Sequence, residues 1–275
     1  DCAAIDAEVR AALAAGDTAR YAAIHDAMTA EPACAVGYRD SVGRAMARSI
    51  LTTLPDDSPP EAIDGALRFG RPWQVLVALG DAHFDRRAWA EAVPVYEEAL
   101  DDMRDEAANP KAPPEDVERR TLARAVEARA LAPTFIATRS FRGEKSGLAS
   151  PHFRNFTAEA VPVPVQFETD SDLLTPPGIA AVEDIYAYLS TNAPDYAAIV
   201  GHTDPRGSDA YNIDLSLRRA QTVAGYLLQL GYPGQIEVFG FGESQPFLPD
   251  DPAKYSVEER MTFDRRVEYR LTPPG

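Results

Sequence analysis

Apolar residues keep two different periods in this chain, and the changeover limits what it can fold into. From Ile5 to about Leu131 they recur three and four positions apart, the period of a helix with one buried stripe. Ile5, Val9, Ala12 and Leu13 make one stripe, Gly16-Asp17 a turn, Tyr21, Ile24 and Met28 the next stripe, and Pro32 closes that hairpin. A third helix is expected over Tyr38 to Leu54. In the Pro55 to Pro60 stretch that follows, Ser58 should act as a cap and Pro59 or Pro60 as the first helical residue. After the loop Asn109 to Pro114, a last helix is expected over Glu115 to Leu131.

From Val161 the step becomes two: Val161, Val163, Val165 and Phe167 alternate with Pro162, Pro164 and Gln166. The prolines exclude a central, fully paired strand. A helix over Pro177 to Thr191, a strand over Tyr196 to His202, a helix over Ser208 to Leu230 and strands over Gln235 to Gly240 and Arg266 to Leu271 complete the pattern. Strands alternating with helices imply a sheet covered by helices on one face. The polar, proline-rich stretch between Gly242 and Thr262 is expected to hold one helical turn, at Val257 to Met261. The fold class is α+β: an all-α domain over 1–132, a connector over 133–160, and a βαβαββ domain with a mixed sheet over 161–275.

Within the helical part, Leu76, Leu79-Gly80, Phe84, Ala92, Tyr96 and Ala99 resemble a tetratricopeptide repeat, in which small residues let two helices approach and an aromatic fills the gap. The match extends to one good repeat. Pro94 fits if its helix starts near Trp89 to Glu91, which would leave it in the first turns, where its missing N–H costs little. Such a region either packs only on itself or offers a groove to a partner protein. The connector holds Phe135, Phe141, Phe153 and Phe156, too many aromatics for a free linker, so it should lie pinned to a surface.

Composition narrows the partners. The 275 residues carry a formal charge of −16, which argues against nucleic acid and anionic lipid, both of which ask for a basic surface. Residues 161–275 hold 17 acids and 8 bases, so the acidity is spread over both halves and marks no tail. No run of about 18 apolar residues is present to span a bilayer, and no signal-peptide pattern stands at the start, which a mature chain would lack in any case. The two cysteines, Cys2 and Cys34, read as a disulfide that closes a loop worth about 3–4 kcal/mol in the chain-entropy model, or as two unrelated thiols.

The densest pattern is Gly201-His202-Thr203-Asp204-Pro205-Arg206-Gly207-Ser208-Asp209, running through Asn212 and Leu215-Ser216 to Arg219-Ala220. It reads as a strand end, a turn and a capped helix. Asn212, Leu215, Ser216 and Arg219 share one helix face, while Ala220, Val223, Ala224 and Leu227 form the core row. Thr203-Asp204, Gly207, Asn212, Leu215-Ser216 and Arg219-Ala220 resemble the peptidoglycan-binding domain of the OmpA, Pal and MotB type. Val165-Gln166-Phe167 before Asp170, Leu174-Thr175-Pro176, Gly240-Phe241-Gly242 and Asp264-Arg265-Arg266-Val267 follow in that family's order, over roughly Val161 to Leu271.

The resemblance implies non-covalent binding of the diaminopimelate of a peptidoglycan stem peptide, whose free end is an ammonium and a carboxylate on one carbon. Asp204 would accept from the ammonium and Arg219 would offer a bidentate fork to the carboxylate. It also implies that Thr203, Asn212, Leu215 and Asp170 line the pocket. The bland alternative for Asp204 and Arg219 is a salt bridge that ties strand to helix. Alternation at a strand start sends one of Arg265 and Arg266 toward the site and the other away. Arg206 and Arg218 read as solvated, and a lipid-modified cysteine, known in this family as a first residue, is argued against by Asp1 ahead of Cys2.

No enzyme is expected. His25, His83, His152 and His202 lack metal-ligand spacing, no HExxH or GxSxG occurs, and no cofactor is called for. The function expected is anchoring of an envelope protein to the cell wall, in the periplasm or at the outer membrane of a Gram-negative bacterium, while the helical domain engages another envelope protein. The alternatives are a targeting module of a wall-processing enzyme or complex, and a structural adaptor without ligand.

Overall fold

A computed structural model describes residues 1–138 and 147–274. The helices α1 (Cys2–Ala15), α2 (Tyr21–Ala30), α3 (Val36–Leu51), α4 (Pro60–Asp64), α5 (Trp73–Asp85), α6 (Trp89–Arg104) and α7 (Glu115–Leu131) make up the first half. Asp1 caps α1 by accepting from the Ala3 amide, and Gly16, at φ 62°, ends it in the left-handed conformation that an L side chain disfavours. Cys2 and Cys34 form a disulfide, which ties the start of α1 to the turn after α2.

Two local expectations fail. The Ser58 hydroxyl does not cap a helix but donates to the Pro55 carbonyl at 2.7 Å, and Pro59 takes the cap position before Pro60. Helix α6 starts at Trp89, within the expected range, but Pro94 is then its sixth residue, past those whose N–H groups are free, so the helix gives up one ladder bond there. Helix α3 also starts and ends earlier than its apolar spacing suggests, and at its C-terminal end Thr52 and Thr53 turn their hydroxyls back onto the Ser49 and Ile50 carbonyls.

The α5–α6 pair is built around Gly80. A Cβ there would stand 2.5 Å from the Tyr96 ring, so glycine is what lets the aromatic fill the space between the helices. Tyr96 is buried, with its hydroxyl donating to Asp81 at 2.6 Å. The helices share one hydrophobic cluster that includes Met28, Met46, Leu76, Leu100 and Met103.

The described part of the connector is pinned. Phe153 and Phe156 stack with centroids 4.6 Å apart, under the guanidiniums of Arg104 and Arg119 respectively, and Phe135 packs against the second cluster. Phe141 lies outside the described residues.

The second half contains β1 (Val161–Val163), α8 (Pro176–Asn192), β2 (Tyr196–Gly201), α9 (Asp209–Gln229), β3 (Gln235–Gly240), α10 (Val257–Asp264) and β4 (Val267–Arg270). The sheet runs β1-β4-β2-β3, with β2 and β3 parallel and the other pairs antiparallel, so the proline-bearing β1 is an edge strand. Ala197 and Ile199 of β2, Val267 and Tyr269 of β4 and Val161 and Val163 of β1 pack with Val182, Ile185 and Leu189 of α8 and Val223 and Leu227 of α9 in a second cluster. The alternate residues Val200 and Glu268, in register with each other, lie on the opposite face. Helix α10 is longer than the single turn expected, because Ser256 and Glu259 form a reciprocal capping box.

The two halves are joined by polar contacts as well as apolar ones. Tyr255 and Phe263, from the stretch before β4, belong to the helical cluster. Arg129 of α7 reaches Asp184 of α8 at 2.6 Å with both side chains buried, and Thr138 donates to the same carboxylate. Glu127 accepts from the Tyr255 hydroxyl and from the Asp250 amide.

Candidate functional site

The site begins where β2 ends. The His202 amide donates to the Arg266 carbonyl and the Thr203 amide to the Gly242 carbonyl, each at 3.0 Å, so the chain is held until Asp204 and released at Pro205. Gly207, at φ 107°, makes the reversal that an L side chain would resist. Ser208 then caps α9 by accepting from the Tyr211 amide. Glycine is needed at two further positions, because a Cβ on Gly201 would meet the Ser216 carbonyl oxygen at 2.1 Å and one on Gly240 the Leu217 nitrogen at 2.5 Å. These close approaches seat α9 on the ends of β2 and β3, and the Ser216 hydroxyl locks the seat by accepting from the Gly242 amide at 2.9 Å.

Thr203, Asp204, Asn212, Leu215, Arg219 and Asp170 line one cleft of about 520 Å³, together with Arg265. Arg266 lies elsewhere: on the far face of the sheet it pairs with Glu268 at 2.8 Å and donates to the Gln245 carbonyl. Asn212 braces the loop, its Nδ2 donating to the Asp204 carbonyl at 3.3 Å and to Glu243 at 2.6 Å. Phe167, Tyr211 and Glu258 also line the cleft, and residue spacing carries no signal for Tyr211 or Glu258.

No direct bridge joins Asp204 to Arg219 among the described residues. Arg206 Nε and Nη2 donate to Asp204 Oδ1 and Oδ2 at 3.0 and 2.6 Å, the Arg206 amide to Oδ1 at 3.1 Å, and Arg265 Nη1 to Oδ2 at 2.8 Å. Arg206 is therefore not simply solvated, although its side chain is 61% exposed; Arg218, also expected in solvent, pairs with Asp214 one helical turn away. Burial alone would raise the Asp204 pKa, but the bonds from Arg206 and Arg265 outweigh it and hold the carboxyl at about 2.

Arg219 stands apart from these pairs. Its Nε donates to the Ser171 carbonyl at 2.9 Å and its guanidinium lies 4.9 Å from the Phe167 ring centroid. Burial lowers its pKa, with Asp170 and Asp204 pulling the other way. Among the described residues it has no carboxylate within ion-pair distance, so an Nη edge with paired donors stays unclaimed by a side-chain anion. Asp204 and Arg219, set among the four carboxylates and three guanidiniums that line the cleft and joined by a braced loop, can hold a zwitterion between them.

Residues 166–260 match the OmpA family. Outer membrane protein A of Escherichia fergusonii is 45% identical over 114 residues, covering 39% of this chain and 47% of that protein. The chain spans less than half the length of the curated relatives it matches. The peptidoglycan-associated lipoprotein from Burkholderia pseudomallei is 29% identical over 38% of this chain and 86% of that one, with a TM-score of 0.32. The cell wall anchor of the T6SS from Pseudomonas aeruginosa is 25% identical over 40% of this chain and 76% of that one, with a TM-score of 0.32.

Proposed function

We propose that residues 161–275 bind peptidoglycan without covalent chemistry, by gripping the zwitterionic end of diaminopimelate in a stem peptide. Asp204 accepts from the ammonium and Arg219 forks onto the carboxylate, with Thr203, Asn212, Leu215 and Asp170 around them. The observation that carries the reading is the arrangement of one cleft of about 520 Å³, in which Arg219 has no carboxylate partner among the described residues and Asp204 is ionised. The match of residues 166–260 to the OmpA family supports it. The helical domain, 1–132, joined through the connector 133–160, engages a second envelope protein, and the chain works as an anchor in the periplasm, at the wall or the outer membrane.

The chemistry suits a modest affinity. Each charge-assisted bond contributes about 1.5–3 kcal/mol before desolvation, which for a small ligand means micromolar to millimolar binding. Titration calorimetry of the chain with meso-diaminopimelate tests it: Asp204→Ala and Arg219→Ala should each abolish a heat signal that the wild type gives. Equal binding by all three rejects the site. One observation favours a second reading, a structural adaptor without ligand, since Asp204 is already held by two of the chain's own guanidiniums. Absence of any wild-type signal would select it.

A further inference from the structure

Helix α10 belongs to the second half by sequence and to the first by packing. Its principal neighbour among the helices and strands is α7. Phe263, together with Tyr255 just ahead of the helix, is buried in the helical cluster. Eight residues are too few for a helix to hold itself in water, so the place of α10 is set by what it packs on.

Two adjacent faces of α10 look to different halves. Glu258 and Thr262, four apart, share one face, and Arg265, the C-cap, bonds to both: its Nη2 donates to Glu258 Oε1 at 3.1 Å and to Thr262 Oγ1 at 2.9 Å, while its Nη1 holds Asp204. Glu258 and Arg265 both line the Asp204 cleft. Glu259 and Phe263 make the next face. Glu259 pairs with Arg87 in the turn between α5 and α6, and Tyr255 donates its hydroxyl to Glu127 of α7. Arg87 carries a further mark, a φ of 59°, in the left-handed region where glycine is the usual resident. A side chain kept in that conformation points to a use for it, and the Arg87 guanidinium spans from the Trp89 ring, 5.1 Å from its centroid, to Glu259.

We propose that the helical half is part of the binding machinery: Arg87 and Glu127 are positioning residues that seat α10 and so fix Arg265 and Glu258 on the Asp204 cleft. The assignment rests on the reading of that cleft as a zwitterion site. Neither positioning residue lines the cleft, and their effect is on order. With α10 seated, Arg265 and Glu258 are in place before a ligand arrives; with α10 loosened, two long side chains and a helical turn must be ordered at binding, and affinity falls by what that ordering costs. The Arg87–Glu259 pair is half exposed on the arginine side and adds little to overall stability, which makes Arg87 a clean probe of positioning.

The experiment is calorimetry of the full chain with meso-diaminopimelate, beside thermal midpoints and amide hydrogen exchange of the ligand-free protein. Arg87→Gly relieves the left-handed backbone but frees the unfolded chain, so its midpoint should stay near that of the wild type. Its affinity should fall about three-fold, and exchange should quicken in residues 257–264 but not in α8 or α9. Adding Tyr255→Phe, which takes one hydroxyl from Glu127, should bring the loss to about ten-fold. Arg87→Lys keeps the cation and should bind as the wild type does. Wild-type affinity in the double variant overturns the proposal and spares the reading of the cleft. A loss that Arg87→Lys shares in full, or one accompanied by faster exchange throughout the chain, overturns it too, and failure of the wild type to bind meso-diaminopimelate removes both.

Discussion

Arg206 grips Asp204 through two parallel bonds, Nε to Oδ1 at 3.0 Å and Nη2 to Oδ2 at 2.6 Å, from a side chain that is 61% exposed. A fork of this kind occupies the same oxygens that an incoming ammonium would use. Water screens exposed pairs and a long side chain loses freedom in making them, so the guanidinium is a weak competitor that a ligand can displace. Arg206→Ala should therefore tighten binding of meso-diaminopimelate by a few-fold, up to about five-fold, measured by calorimetry at low salt. A ten-fold loss would instead make Arg206 a ligand contact.

Arg219→Lys separates charge from shape. Lysine keeps the cation but loses the two parallel donors and the flat surface that lies over Phe167. Affinity for meso-diaminopimelate should fall about ten-fold or more, with the thermal midpoint near that of the wild type. Unchanged affinity would mean that Arg219 acts as a point charge and that fork geometry is irrelevant.

The pH response should come from His202 rather than from Asp204. Asp204 takes its proton at about 2 in the folded chain against 3.8 ordinarily, so its stabilising contribution is complete above about pH 4 and is lost as pH falls through 2. Burial lowers the His202 pKa below its ordinary 6.5, with the Glu268 contact opposing. The unfolded chain then binds the extra proton first, and stability must decline as pH falls below 6.5 toward the folded value. Urea titrations at pH 7, 6 and 5 should show that decline, and His202→Gln should make it shallower; an identical slope in the variant would exonerate His202.

Asp184→Ala leaves the buried Arg129 without its carboxylate and strips Thr138 of its acceptor. Removing one partner of a buried pair costs about 3–5 kcal/mol, far more than the pair contributes net, because the remaining charge stays desolvated. A urea midpoint that shifts by that much is the expected result. A shift under 1 kcal/mol would show that the junction between the halves admits water and that Arg129 finds another partner.

Much of this architecture is legible in the order of residues. The helix and strand periods fall where α7, β3 and α8 lie to within a residue or two, since side chains must alternate by two on a strand and by three or four on a helix to reach a common core. Gly80 and Tyr96 are legible as a repeat pattern that pairs two successive helices, whereas the Ser256–Glu259 box, a local rule, lengthens α10 beyond the turn expected. Local rules fail at Ser58, whose hydroxyl prefers a carbonyl three residues back, and at Pro94, where packing of Val93 and Tyr96 outweighs one lost backbone bond.

The sequence by itself determined that Asp204 and Arg219 would sit at opposite ends of a turn and a capped helix, because strand, turn and cap are all written within twenty consecutive residues. Only the tertiary structure decided what each of them meets. Arg265 reaches Asp204 from 61 positions away and Ser171 meets Arg219 from 48, and Arg266 turns to the other face because α10 ends at Asp264 and β4 starts at Val267. Charge pairing depends on distance in space, and for residues this far apart in the chain that distance is set by how the sheet, α9 and α10 close on one another.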